Sequence, residues 1–169
     1  MADKKEMELT EEEVKEDILG HEDDYIAGLL AAADNVDEET TTIEIIRNKK
    51  KYFAFRVHAL TEEELSDIRK KYTRYAKNRR QGIRVPEELD TPKYRASLIF
   101  NSTVKEDQEK LWNNTVIKKG LEAKGKTIIN ALDVIEAVLL PGEKERIMDI
   151  LDEINGFNNE EIKENTAKN

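Results

Sequence analysis

The sequence predicts an α+β protein, mainly α with a small β-hairpin, in which a compact helical domain follows a flexible acidic N-terminal arm. Three observations carry that expectation. Apolar residues recur at helical spacing through most of residues 61–157; Ile128, Leu132, Ile135 and Leu139, for instance, stand at steps of four, three and four. Period-two alternation is confined to residues 41–60, where Ile43 and Ile45, then Phe53, Phe55 and Val57, share one face. Charge is unevenly spread: residues 1–42 hold 15 acidic and 3 basic side chains and residues 43–84 hold 5 and 13, within a total of −9. The expected division is an acidic arm over 1–41, partly disordered with short helices, then a hairpin plus helical domain over 42–157, then a polar tail over 158–169.

In the arm, Thr10 and Glu13 have the spacing of a capping box, flanked by Leu9 and Val14 as a staple, and start a short helix ending near Gly20. Tyr25–Ala33 is an apolar patch between acidic flanks, suited to docking on the domain or on a partner. The hairpin follows, with Asn48-Lys49-Lys50-Lys51 as its polar loop and lysines that discourage edge pairing. Two strands alone are marginal in water, so their Phe/Ile face must pack on helices. His58 alternates onto the opposite face, beside Arg56.

The Leu60–Leu65 segment repeats the cap-and-staple pattern and opens a helix over Thr61–Ala76 with Leu65, Ile68, Tyr72 and Tyr75 as its stripe. Arg79–Gly82 ends it, and Ile83–Asp90 is a loop. Thr91 caps the next helix with Pro92 in its first turn, and Tyr94 and Leu98 line it. Lys105–Asp107 is a polar break; a further helix runs to about Leu121, and Glu122–Lys126 punctuates. Thr127–Gly156 then forms two antiparallel helices about Leu140-Pro141-Gly142-Glu143, their stripes facing one another or a third element. Pro141 lacks the N–H needed to continue the first helix but suits the first position of the second, and Asn155-Gly156 gives the left-handed stop. Ile135→Asp and Gly142→Val are both expected to unfold the domain rather than abolish a specific activity.

Composition narrows the chemistry. Without cysteine, neither a disulfide framework nor a thiolate zinc site can form. His21-Glu22-Asp23-Asp24 lacks the spacing of a calcium loop and reads as a solvated acidic turn. No nucleophile elbow or phosphate-binding glycine loop occurs, and no apolar run approaches the roughly 20 residues that span a bilayer. No catalytic, cofactor-binding or metal-binding residue is assigned, and no enzyme or membrane role is expected. The rival reading is nucleic-acid binding through a basic helix over 69–84, where Arg69, Lys70, Lys71, Arg74, Lys77, Arg79, Arg80 and Arg84 occur with no acid among them. The total charge of −9 weighs against nucleic acid.

Several short signatures follow one another in a fixed order: Tyr94–Ile99 (YRASLI), Ser102-Thr103-Val104, Leu111-Trp112, Ile128-Ile129, Leu139–Glu143 (LLPGE) and Asn155-Gly156-Phe157. Together with the strand and LTEEE pattern of Phe53–Leu65, this set resembles the tail assembly chaperones of phages and prophages of Gram-positive bacteria, including PBSX-like contractile-tailed defective particles. The resemblance spans roughly Thr42 to Phe157. It implies a non-catalytic protein of the bacterial cytoplasm that binds the tape measure protein during tail morphogenesis, helps bring tail tube subunits to it, and is absent from the finished particle. A homo-oligomer and a structural particle component remain open. The resemblance brings no residue-level site, so the partner-binding residues are unknown; the exposed side of the helical domain is expected to supply a groove for an amphipathic helix.

Overall fold

A computed structural model describes residues 26–33 and 39–157. They belong to two separate units. The first contributes a short helix over residues 26–33 with every residue exposed, Leu29 at 72%. The capping box at Thr10 and the His21 cluster lie outside the described residues.

The second unit begins with an antiparallel hairpin, β1 (Thr40–Arg47) and β2 (Lys50–His58). As the alternation predicts, Ile43, Ile45, Phe55 and Val57 are buried on one face. The turn is tighter than the sequence suggests. Asn48 and Lys49 both take positive φ, 51° and 63°, so they alone form the loop, and Lys50 and Lys51 join the strand. A bulge between Ile45 and Ile46 accommodates the extra residue. His58 is half-buried, with Nδ1 2.8 Å from the Ala59 carbonyl oxygen.

Helix α1 (Glu62–Tyr72) starts where the caps place it: Thr61 Oγ1 accepts from the Glu64 N–H, and Glu64 Oε2 accepts from the Thr61 N–H at 2.8 Å. It does not run to Ala76. Thr73 turns extended and its hydroxyl donates to the Arg69 carbonyl at 2.6 Å. Strands β3 (Thr73–Lys77) and β4 (Arg84–Leu89) then form a second antiparallel hairpin where a helix end and a loop were expected. A continued helix would have stacked Lys70, Arg74 and Lys77 at i, i+4 and i+3 spacings, where like charges repel. The hairpin separates them, with Gly82 at φ +67° in its turn. Tyr75, expected in the helical core stripe, is 44% exposed. The basic helix over 69–84 is therefore part helix, part hairpin.

Helix α2 (Thr91–Ser102) is capped by Asp90, one residue before the expected Thr91; the Asp90 carboxylate accepts from the Lys93 N–H. This helix is the hub of the unit, meeting α1, β2 and both C-terminal helices, and it buries Ala96, Ser97, Leu98, Ile99 and Ser102. The polar Lys105–Asp107 segment is a helical turn rather than a break. Asp107 faces inward: its Oδ2 accepts from the Arg56 backbone N–H at 2.8 Å and from Arg56 Nε at 3.1 Å, and its Oδ1 from Nη2 at 3.0 Å. An inward carboxylate leaves a gap in an apolar pattern, hence the misleading signal. The turn widens to π-helical over Gln108–Trp112 and delivers Trp112 to the core.

After α3 (Thr115–Ala123) come α4 (Ala131–Val138) and α5 (Pro141–Ile154). Helix α4 begins three residues beyond Ile128, because Asn130 and Asp133 form a capping box that fixes its start. Pro141 is the first residue of α5, and Gly156 stops it at φ +82°. Between the two helices Leu139 and Leu140 are extended, and both helices direct their main contacts to α2 rather than to one another. The third-element alternative is the one realised. At Gly142 a Cβ would meet nothing within 4 Å, so Gly142→Val has no steric reason to unfold the domain. Ile135 is fully buried.

Candidate functional site

A groove of about 310 Å³ lies where α1, α2 and α5 meet. Each helix supplies apolar residues, some buried in the core and some half-buried. Helix α1 gives Leu65, α2 gives Tyr94 and Leu98, and α5 gives Met148 and Leu151. Phe157, just past the Gly156 stop, closes one end and is 65% exposed. Glu62, Ser66, Arg69, Asp152 and Asn155 form the polar rim. Asn155 is itself fixed, since its Oδ1 accepts from the Leu60 N–H at 2.8 Å and so ties the end of α5 to the start of α1. Burial, reinforced by Asp149, pushes the Asp152 carboxyl above the ordinary range.

A second cleft, of about 350 Å³, adjoins the first across α1, with Ser66 and Arg69 lining both. Its far wall is the β3–β4 hairpin, through Tyr75 and Pro86–Leu89. Beyond its own pairing the hairpin makes only sparse contact with the rest of the unit; the Asp90 N–H to Tyr72 carbonyl bond at 2.9 Å holds its base.

Two ionic clamps tie the first hairpin to the helices. Arg47 donates from Nε and Nη2 to the two carboxylate oxygens of Glu143, both at 2.7 Å, and from Nη2 to the Val138 carbonyl. Glu143 also accepts from the Leu140 N–H at 2.8 Å, so the charge that the sequence places at the start of α5 caps the helix and secures the first hairpin at once. The Arg47 hydrogen bonds hold the Glu143 carboxyl below its usual range. Arg56 does the same for Asp107, and Lys110 with Arg56 for Glu106.

Among the described residues no three metal-ligating side chains converge, and no helix is long and apolar enough to cross a membrane. The groove residues escaped sequence reasoning. Periodicity assigns Leu65, Leu98 and Leu151 to apolar stripes, but whether neighbouring helices close over a stripe or leave a gap is not written in its spacing. A surplus was the only signal: Met148 and Phe157 lie outside the stripes that periodicity picks out.

The chain matches the family described as Phage XkdN-like tail assembly chaperone protein, TAC, over residues 26–168. It belongs to that family, and its general role is in phage tail assembly. No curated protein and no solved structure matches it.

Proposed function

We propose that the groove between α1, α2 and α5 receives an amphipathic helical segment of the tape measure protein during tail morphogenesis. A tape measure protein is a long helix-rich chain that exposes apolar stripes until the tail tube encloses it. The observation that carries the reading is the half-buried apolar lining of the groove, Leu65, Tyr94 and Met148, with Phe157 exposed beside it, on a chain of this family. Anchors spaced i, i+3, i+4 and i+7 on the client would fill it. Tail tube subunits are the second partners in this reading, and the acidic residues before position 42 maintain the solubility of the complex.

Co-expression with the tape measure protein tests this. The chain is expected to co-purify with it and to raise its soluble yield, and Met148→Glu is expected to abolish both while leaving the circular dichroism spectrum unchanged. A tape measure protein that neither co-purifies nor gains solubility refutes the proposal. Mass spectrometry of purified particles separates a chaperone, which is absent, from a structural subunit, which is abundant.

A further inference from the structure

A third cleft, of about 440 Å³, opens where the end of α1 meets α2, α3 and α4. It shares α1 and α2 with the apolar groove but no lining residue. Tyr72, Phe100 and Leu132 line it half-buried. The two most exposed large apolar side chains among the described residues belong to the elements around it. Ile129, 84% exposed, lines the cleft, and Val116, 76% exposed, stands two positions before the lining residue Lys118 on α3. Helix α3 buries none of its residues fully; Ile117 and Leu121 rest half-buried on the core, and Val116 is left in water. Apolar surface gathered in this way marks a contact site.

The charge lining this cleft has one sign. Its only charged lining residues are Lys71 and Lys118. Lys119, Lys124 and Lys126, all exposed, continue the cations along α3 and its connector to Ile129, and Glu122 is the one acidic residue from Asn114 to Ala131. Among the described residues none of these five lysines has an ion-pair partner. Two carboxylates adjoin the rim, and both are committed. Asp133 Oδ2 accepts from the Ile129 and Asn130 N–H groups at 2.8 and 3.0 Å, and Glu109 Oε1 accepts from Asn113 Nδ2 at 3.0 Å. The second cleft, by contrast, sets Glu87 and Glu88 against Arg69 and Lys70 and has no net sign.

We propose that the cleft between α1, α2, α3 and α4 is a second docking site, one that takes an amphipathic helix of another protein with acidic residues beside its apolar ridge. The ridge lies on Tyr72, Phe100 and Leu132 and covers Ile129 and Val116, while its carboxylates pair with Lys71 on α1 and Lys118 on α3. No strand lines the cleft, so a segment that satisfies its own backbone hydrogen bonds suits it. Aliphatic side chains offer bases no stacking platform, and the chain's charge of −9 disfavours a phosphate backbone. This site is independent of what the apolar groove binds.

Fluorescence anisotropy on the full chain tests it, with a labelled peptide of about four helical turns that carries leucine at i, i+3, i+4 and i+7 spacing and glutamate beside that ridge. The comparators are the same ridge flanked by lysine, the glutamate peptide with its leucines moved out of helical register, and a short single-stranded DNA. The acidic amphipathic peptide is expected to bind best, and binding should weaken as salt rises. Lys118→Glu is expected to weaken it about tenfold, the loss of one charge-assisted contact. Ile129→Ser gives a smaller loss, and Met148→Glu, in the apolar groove, none. Both cleft variants should melt within about 2 °C of the parent, since neither position is in the core. Equal binding of the three peptides, tighter binding of the DNA, no binding at all, or a Lys118→Glu variant that binds as well as the parent overturns the proposal. So does loss of the peptide from Met148→Glu, which would seat it in the apolar groove, or a dimer in sedimentation that the peptide dissociates, which would put a second copy of the chain in the cleft.

Discussion

Removing the ring of Trp112 should cost this protein about a fifth or more of its stability. The side chain is 1% exposed and stands edge-on to two aromatic rings, Phe55 at 5.3 Å and 77° and Phe53 at 6.1 Å and 83° between centroids and planes. Its Nε1–H donates to Thr103 Oγ1 at 3.0 Å, and that hydroxyl donates to the Ile99 carbonyl at 2.6 Å. Three elements therefore meet at one residue: β2 through the rings, the C-terminal end of α2 through Thr103, and the π-helical segment that carries the tryptophan. Trp112→Ala removes the ring and leaves a cavity, at roughly 3–5 kcal/mol, against a total of about 5–15 kcal/mol for a natural domain. Trp112→Phe retains most of the packing and should cost about 2 kcal/mol, of which the lost hydrogen bond is about 1 kcal/mol. Thr103→Val leaves the indole N–H buried without an acceptor, at about 1–3 kcal/mol. Urea unfolding followed by far-ultraviolet circular dichroism measures all three on one signal, since two of them lack the single tryptophan. With a slope of about 2 kcal/mol per molar, Trp112→Ala should move the midpoint by roughly 2 M. The Trp112→Phe/Thr103→Val double variant should cost clearly less than the two singles together, because the second change removes a partner already lost. A Trp112→Ala midpoint within a few tenths of a molar of the parent, or strict additivity in the cycle, would refute the reasoning.

Two substitutions near the Leu139–Glu143 turn should separate core from surface: Ile135→Asp, at a fully buried position, should abolish the cooperative transition. Gly142→Val, where a Cβ meets open space, should shift stability by no more than about 0.5 kcal/mol in the same urea experiment. The carboxyls of Asp107, Glu106 and Glu143 are all held low by arginine and lysine partners, so their stabilisation is present above the unfolded carboxyl range near pH 4 and disappears as pH falls through the folded values. Asp107→Asn and Glu143→Gln should accordingly flatten the acid limb of a stability–pH curve below about pH 4; an unchanged limb would show that these pairs do not drive acid unfolding. Lys49→Gly should raise the melting temperature by about 2–4 °C, since Lys49 stands at φ 63° in the two-residue turn and glycine holds that region without the side-chain penalty. Calorimetry that shows a decrease would mean the turn is not strained there.

What the sequence determined by itself is what short-range chemistry controls. Thr61 with Glu64 starts α1, Pro141 starts α5 and Gly156 stops it, because caps and breakers act through backbone groups within about four residues. The alternation in β1 and β2 likewise specifies which face is buried, since a slip of one residue would expose Ile43, Ile45, Phe55 and Val57 together. The ordered signatures from Tyr94 to Phe157 also carry the family. Tertiary structure decided the rest. Over Thr73–Lys77 the sequence reads as the end of a helix, and pairing with Arg84–Leu89 makes it a strand instead. Asp107 reads as part of a polar break until Arg56, 51 positions earlier, is seen to bind it on the inside. Helices α4 and α5 fit one another as well as any third surface on periodicity alone, yet both lie on α2. The groove belongs to this second class entirely. It exists because three helices, distant in sequence, converge without closing, and the spacing within each of them says only which face is apolar, not whether that face ends up covered.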